Sequence, residues 1–184
     1  SINDYYPIEE SDFCNPKFCI SLKYLSLKNC NLSPYKNNFE KNMLIGIIAN
    51  ITKENVFEVV HSFLTKLKKN KIDYILTKSL SEDKDKIKIE LFDDFVTDDK
   101  EVYEKADLII SIGGDGTMLA TAFNAQFYNK PVLGVNMGKL GFLVEANIDQ
   151  MDKIITELKE GKYSIEERMV ISGEALGHKT EKLY

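Results

Sequence analysis

The stretch ADLIISIGGDGTMLA, residues 106–120, decides the fold. An apolar run of strand-forming residues, 107–112, ends directly in Gly113, Gly114, Asp115 and Gly116, and a helix-compatible segment follows over 116–127. Strand, glycine turn and helix together open a βα unit of a parallel sheet. In such sheets a ligand binds beyond the carboxyl ends of the strands. The helix N-terminus there offers free N–H groups and a partial positive charge. Glycine permits positive φ and lets a ligand reach the backbone with no Cβ in the way. Gly113, Gly114 and Gly116 therefore predict a phosphate cradle, with the Thr117 hydroxyl beside it.

Asp115 is the odd member of that cradle, because a carboxylate repels phosphate. Two readings follow from the turn alone. Asp115 N-caps the next helix, a use of Asp worth about 1 kcal/mol, or it has a separate task, accepting a proton from a hydroxyl or holding Mg²⁺. Two common phosphate motifs are excluded. Read as G-x-G-x-x-G, Gly114 and Gly116 would need a small residue at 119, where Leu119 stands. A Walker loop needs Lys then Ser or Thr after its last glycine, but Gly138-Lys139 is followed by Leu140.

Working outward, 43–50 reads as a buried strand. Residues 53–70 carry Val56, Val59, Val60, Phe63, Leu64 and Leu67 at helical spacing, and Lys66, Lys68 and Lys69 suit the helix C-terminus. Strands follow at 72–76 and 131–137, and a helix at 149–161, with Asp149 as N-cap and Gly161 just past its end. Residues 163–176 alternate as a strand does. The charged stretch 79–105 reads as a solvated connection, and its Asp-Asp-Phe at 93–95 has no metal-site spacing. Residues 1–41, broken by Pro7, Pro16 and Pro34, read as an irregular extension with one short strand near 18–25. The fold class is α/β: a Rossmann-like parallel sheet with helices on both faces over 42–162. The alternating stretch then begins a further strand within 163–184, which the resemblance given below assigns to the start of a truncated, β-rich second domain.

A second glycine cluster, GVNMGKLGFLVEA at 134–146, follows the fourth strand and opens at the same sheet edge. Gly138 and Gly141 lie in it. Phe142 is either core or a surface for a ligand ring, and Lys139 reads as solvated.

Composition bounds the partners. A net charge of −5 over 184 residues argues against broad nucleic-acid binding. Cys14, Cys19 and Cys30 are odd in number and lack C-x-x-C spacing, so neither a zinc site nor a disulfide frame is indicated. Free thiols in a reducing compartment are expected. His61 and His178 leave few candidates for a histidine-based metal site or triad. The longest apolar run, 43–51, is far too short to span a bilayer, and no signal peptide opens the chain. These features predict a cytoplasmic protein with no membrane partner.

The GGDGT turn at 113–117, followed about twenty residues later by PVLGVNMGKLGFL at 131–143, resembles NAD kinase. GKYSIEERM at 161–169, with Arg168 after a helix, resembles that family's passage into its second domain. The likeness runs from about 42 to 172. The GGDGT turn is shared with diacylglycerol and sphingoid lipid kinases and nearly with phosphofructokinases. The N-x-G-x-L-G-F-L pattern from Asn136 to Leu143 is far more specific. The resemblance implies transfer of the γ-phosphoryl of ATP to the 2′-hydroxyl of the adenosine ribose of NAD, giving NADP, with Mg²⁺ accompanying ATP. By position it implies that Asp115 is the general base. It also places Gly113, Gly114, Gly116 and Thr117 near the phosphates, and Asn136, Gly141 and Phe142 at the dinucleotide. It implies a homo-oligomer. The family's second motif, an Asn followed by an acidic residue, has no counterpart after Glu145, so the chain resembles the N-terminal domain rather than the whole enzyme. The alternatives are a lipid kinase catalytic domain, which should lack the 136–143 segment, and a nucleotide-binding module without catalysis.

Overall fold

The alternation of side chains along each strand fixes which helix covers which face. The computed structural model describes residues 21–26, 43–82, 98–138, 141–144 and 146–169. Its strands are β1 (Ser21–Ser26), β2 (Leu44–Ala49), β3 (Asp73–Leu76), β4 (Leu108–Gly113), β5 (Val132–Asn136), β6 (Ala146–Asn147) and β7 (Ser164–Met169). Its helices are α1 (Val56–Lys69), α2 (Lys78–Glu82), α3 (Asp99–Lys105), α4 (Asp115–Ala125) and α5 (Met151–Lys159). Leu22–Arg168 forms one compact unit.

The sheet runs in the order β3-β2-β4-β5-β1-β7, with β6 paired to β5. β2 pairs in parallel with β3 and β4, and β5 with β4, β1 and β6. On one face Ile45 and Ile47 of β2 and Leu108, Ile110 and Ile112 of β4 join a core with Val60, Leu64 and Leu67 of α1 and Ile154, Ile155 and Leu158 of α5. The intervening residues face the other way. A Cβ on Gly46 would lie 2.6 Å from Val102 Cγ1 and 3.0 Å from Ala106 Cβ, beside α3. Ser111 Oγ meets Thr121 Oγ1 of α4 at 3.0 Å in the buried interior. Helices thus cover both faces, α1 and α5 on one, α3 and α4 on the other, as the sequence predicts.

Two expectations change. Asp149 does not cap the helix near 149–161. Asn147 caps a turn of 3₁₀-helix at 148–150, in a capping box with Gln150, and that turn leads into α5, whose own N-cap, Gln150, makes no side-chain cap bond. Asn147 ends β6 and reaches the turn first, which leaves Asp149 inside it. Gly161 does follow that helix, with φ at 64°. The stretch 79–105 is not all connection. α2 holds Lys78–Glu82 and α3 holds Asp99–Lys105, with Asp98 as N-cap accepting from Lys100 N–H at 3.0 Å. Val102 and Tyr103 anchor α3 in the interior. The strand expected near 18–25 is β1, which lies in the sheet between β5 and β7. The Asp-Asp-Phe at 93–95, residues 170–176, Lys139, the three cysteines and His178 lie outside the described residues.

Candidate active site

The chain passes from β2 through α1 to β3 at the sheet edge, then returns past β2 to β4 by way of α3 on the opposite face. β2 and β4 are therefore neighbours whose connections leave in opposite directions. This is the switch point at which α/β sheets open a crevice beyond their carboxyl ends. Asn50, Gly113 and Asn136 stand at the ends of β2, β4 and β5. The Asn50 N–H donates to Ile112 O at 3.0 Å, and Gly113 is in register with Asn136.

The glycines here do not serve a left-handed backbone. Among the described residues only Gly161 of the glycines has positive φ. Gly113 is needed for packing, since a Cβ there would lie 2.5 Å from Thr117 Oγ1. Gly114 and Gly116 face open space, with nothing within 4 Å of an added Cβ. They leave a bare backbone at the start of α4, which suits the approach of a phosphate. The Thr117 hydroxyl accepts from Asn50 Nδ2 at 3.5 Å.

Asp115 is the first residue of α4 and caps nothing. Gly114 is the N-cap, and no side chain caps there. The Asp115 carboxylate turns instead to the second glycine loop. Oδ2 accepts from Phe142 N–H at 2.8 Å, and Oδ1 from Leu143 N–H at 3.1 Å and Val144 N–H at 3.3 Å. Gly141 makes this possible, because a Cβ there would be driven into the carboxylate. The Phe142 N–H holds the Asp115 carboxyl below the usual carboxylate range. Partial loss of solvent opposes this, and the Leu143 and Val144 N–H groups add to the lowering.

The structure therefore brings together Gly113, Gly114, Asp115, Gly116, Thr117, Gly141 and Phe142. Phe142 is not core: its side chain is 99% exposed while its N–H is held. Asn136 is buried at the end of β5, and its Oδ1 accepts from Gly138 N–H at 3.0 Å, shaping the turn into the loop. Sequence reasoning missed Asn50 and the N–H groups of Leu143 and Val144. Asn50 carried a usable signal, since it closes an apolar strand at the glycine-bearing edge. Backbone donors carry none.

Arg168 stands apart from the glycine turn in role. Its guanidinium lies 4.6 Å from the centre of the Tyr24 ring and 3.4 Å from Glu166 Oε2, tying β7 to β1. Burial raises the Tyr24 phenol, and the Arg168 charge opposes this.

No group of three or more His, Cys, Asp or Glu able to hold a metal occurs among the described residues. At the glycine turn the acidic donor is Asp115, whose oxygens already receive N–H groups. Such a donor set fits a divalent ion carried mainly by nucleotide phosphates. No helix among the described residues is long and apolar enough to cross a membrane.

A parallel sheet with a glycine turn and one carboxylate at its switch point defines an α/β domain of the nucleotide-binding class. The family of ATP-NAD kinase N-terminal domains matches residues 45–163, and this chain belongs to it. The NAD kinase of Clostridium perfringens is 36% identical over 129 residues, which cover 70% of this chain and 42% of that protein. That of Natranaerobius thermophilus is 36% identical over 137 residues, covering 74% and 46%. That of Wolinella succinogenes is 41% identical over 70 residues, covering 38% and 24%. The chain thus spans less than half the length of these relatives. The crystal structure of yeast NADH kinase complexed with NADH has the same fold, with a TM-score of 0.58 at 18% identity over 73% of this chain and 45% of that one.

Proposed function

We propose that the protein is an NAD kinase, transferring the γ-phosphoryl of ATP to the 2′-hydroxyl of the adenosine ribose of NAD to give NADP. The observation that carries this reading is the Asp115 carboxylate, held beside the bare backbone of Gly114 and Gly116 and fixed to loop 141–144. The exposed N–H groups at the start of α4 receive phosphate oxygens. Phe142 offers its ring to the dinucleotide. Mg²⁺ arrives with ATP and neutralises phosphate charge.

Asp115 orients the ribose hydroxyl and takes its proton. The new bond joins the ribose oxygen to the γ-phosphorus, and the bond from that phosphorus to the bridging oxygen breaks, with ADP leaving. Three N–H donors make Asp115 a weaker base than a free carboxylate. The proton therefore moves as the phosphoryl bond forms, not before.

NADP formation from NAD and Mg-ATP by the protein at its full natural length, read through an NADP-specific dehydrogenase, is the deciding assay. Activity is expected in the wild type, falling about 10²- to 10⁴-fold in Asp115→Asn. Absence of NADP in the wild type overturns the activity. Retention of more than about a tenth of the rate in Asp115→Asn overturns the base assignment. The reading extends to a cytosolic homo-oligomer. A monomer by light scattering removes the oligomer from it.

A further inference from the structure

The two oxygens of Asp115 are not equally occupied. Oδ1 accepts from Leu143 N–H and Val144 N–H, while Oδ2 accepts from Phe142 N–H. A carboxylate offers about four acceptor directions, two on each oxygen. Oδ1 is filled and Oδ2 retains one. We infer that Asp115 has a positioning role separable from proton transfer: its charge orders loop 141–144, and Oδ2 accepts a ligand hydroxyl without releasing the loop. Three successive N–H groups converge on one carboxylate in hydrogen bonds that its negative charge strengthens. An amide in its place would turn an NH₂ group toward one or more of those donors. Gly141 completes the arrangement, because any side chain there would expel the carboxylate. Loop order thus precedes ligand binding, and Phe142 presents its exposed ring from a backbone already fixed.

Only the hydroxyl half of this inference rests on the NAD kinase reading. Amide hydrogen exchange, followed by NMR on this chain, tests the halves separately. Without ligand, Asp115→Asn should accelerate exchange at Phe142, Leu143 and Val144 by about tenfold or more. The Ile110 and Leu133 amides report that the sheet is intact. Gly141→Ala, which keeps the carboxylate but displaces it, should accelerate the same three amides and serves if Asp115→Asn does not fold. Unchanged exchange at 142–144 in either folded variant overturns the positioning role. With saturating NAD, the wild-type amides at 142–144 should exchange no faster than without it. Faster exchange on binding means that the hydroxyl displaces the loop, and overturns the sharing of Oδ2. Failure of NAD to bind overturns the proposed substrate and the hydroxyl half together, while the ligand-free rates still decide the loop half.

Discussion

At Asp115 the sequence left two roles open, a helix cap and a carboxylate with a chemical task. The structure removes the first and adds a bond the sequence could not reveal. The donors are backbone groups of Phe142, Leu143 and Val144, distant in sequence and silent in side-chain identity. Gly141 permits the contact, as a position where a Cβ would meet the carboxylate. The lowered carboxyl sets the sign of a pH effect. Its hydrogen bonds stabilise the fold above the ordinary carboxylate range and are lost as pH falls through the depressed value. The stability gap between wild type and Asp115→Asn, measured in urea, should therefore hold steady from about pH 7 to about pH 5 and shrink in stronger acid. A gap that widens on acidification contradicts the assignment. Gly113 teaches a related lesson. Of the three glycines expected to form the cradle, it makes room for Thr117, while the open positions are Gly114 and Gly116.

At the scale of elements, α1 and α5 pack side by side, and two kinds of contact join them. Lys66 Nζ and Asp152 Oδ1 are 2.6 Å apart, but Asp152 is 79% exposed. Such a pair contributes about 0–1 kcal/mol and weakens with salt. Beneath it Leu67, Ile154 and Leu158 are almost wholly buried. Asp152→Ala should cost less than about 1 kcal/mol, and Leu158→Ala about 2–5 kcal/mol, by urea denaturation. Equal costs would mean that the exposed pair, not the apolar seam, holds the helices together. These helices were legible because Val56, Val60, Phe63, Leu64 and Leu67 repeat at helical spacing over α1 and Met151, Ile154, Ile155 and Leu158 do so over α5. α3 was hidden because its two buried residues, Val102 and Tyr103, sit among Asp99, Lys100, Glu101, Glu104 and Lys105. Seven residues give the periodicity too little length to register. β6, with two residues, shows none at all.

Across the whole molecule, alternating strands and helices predicted the parallel sheet, but strand order was not readable from local pattern. The chain returns from β3 past β2 to β4 by way of α3, and Gly46 leaves room on that face for Val102 and Ala106. That path creates the switch point and gathers Asn50, the glycine turn and loop 141–144 at one edge. On the proposed reading, a ligand bound there meets groups that follow β2, β4 and β5, so its binding stabilises the folded sheet. Ligand at about 100 times its dissociation constant stabilises a folded protein by about 2.7 kcal/mol. For a domain of this size that raises the melting temperature by about 5–10 °C. If the proposed function holds, NAD should produce such a rise in this chain, and 2′-deoxyadenosine-containing NAD a smaller one, because the proposed contact to Asp115 Oδ2 then lacks its hydroxyl. Asp115→Asn should erase the difference between the two ligands while keeping part of the rise, since the phosphate contacts proposed at Gly114 and Gly116 would not depend on the carboxylate. An equal rise with both dinucleotides in the wild type would remove the ribose 2′-hydroxyl from Asp115 and place the ligand elsewhere along the edge.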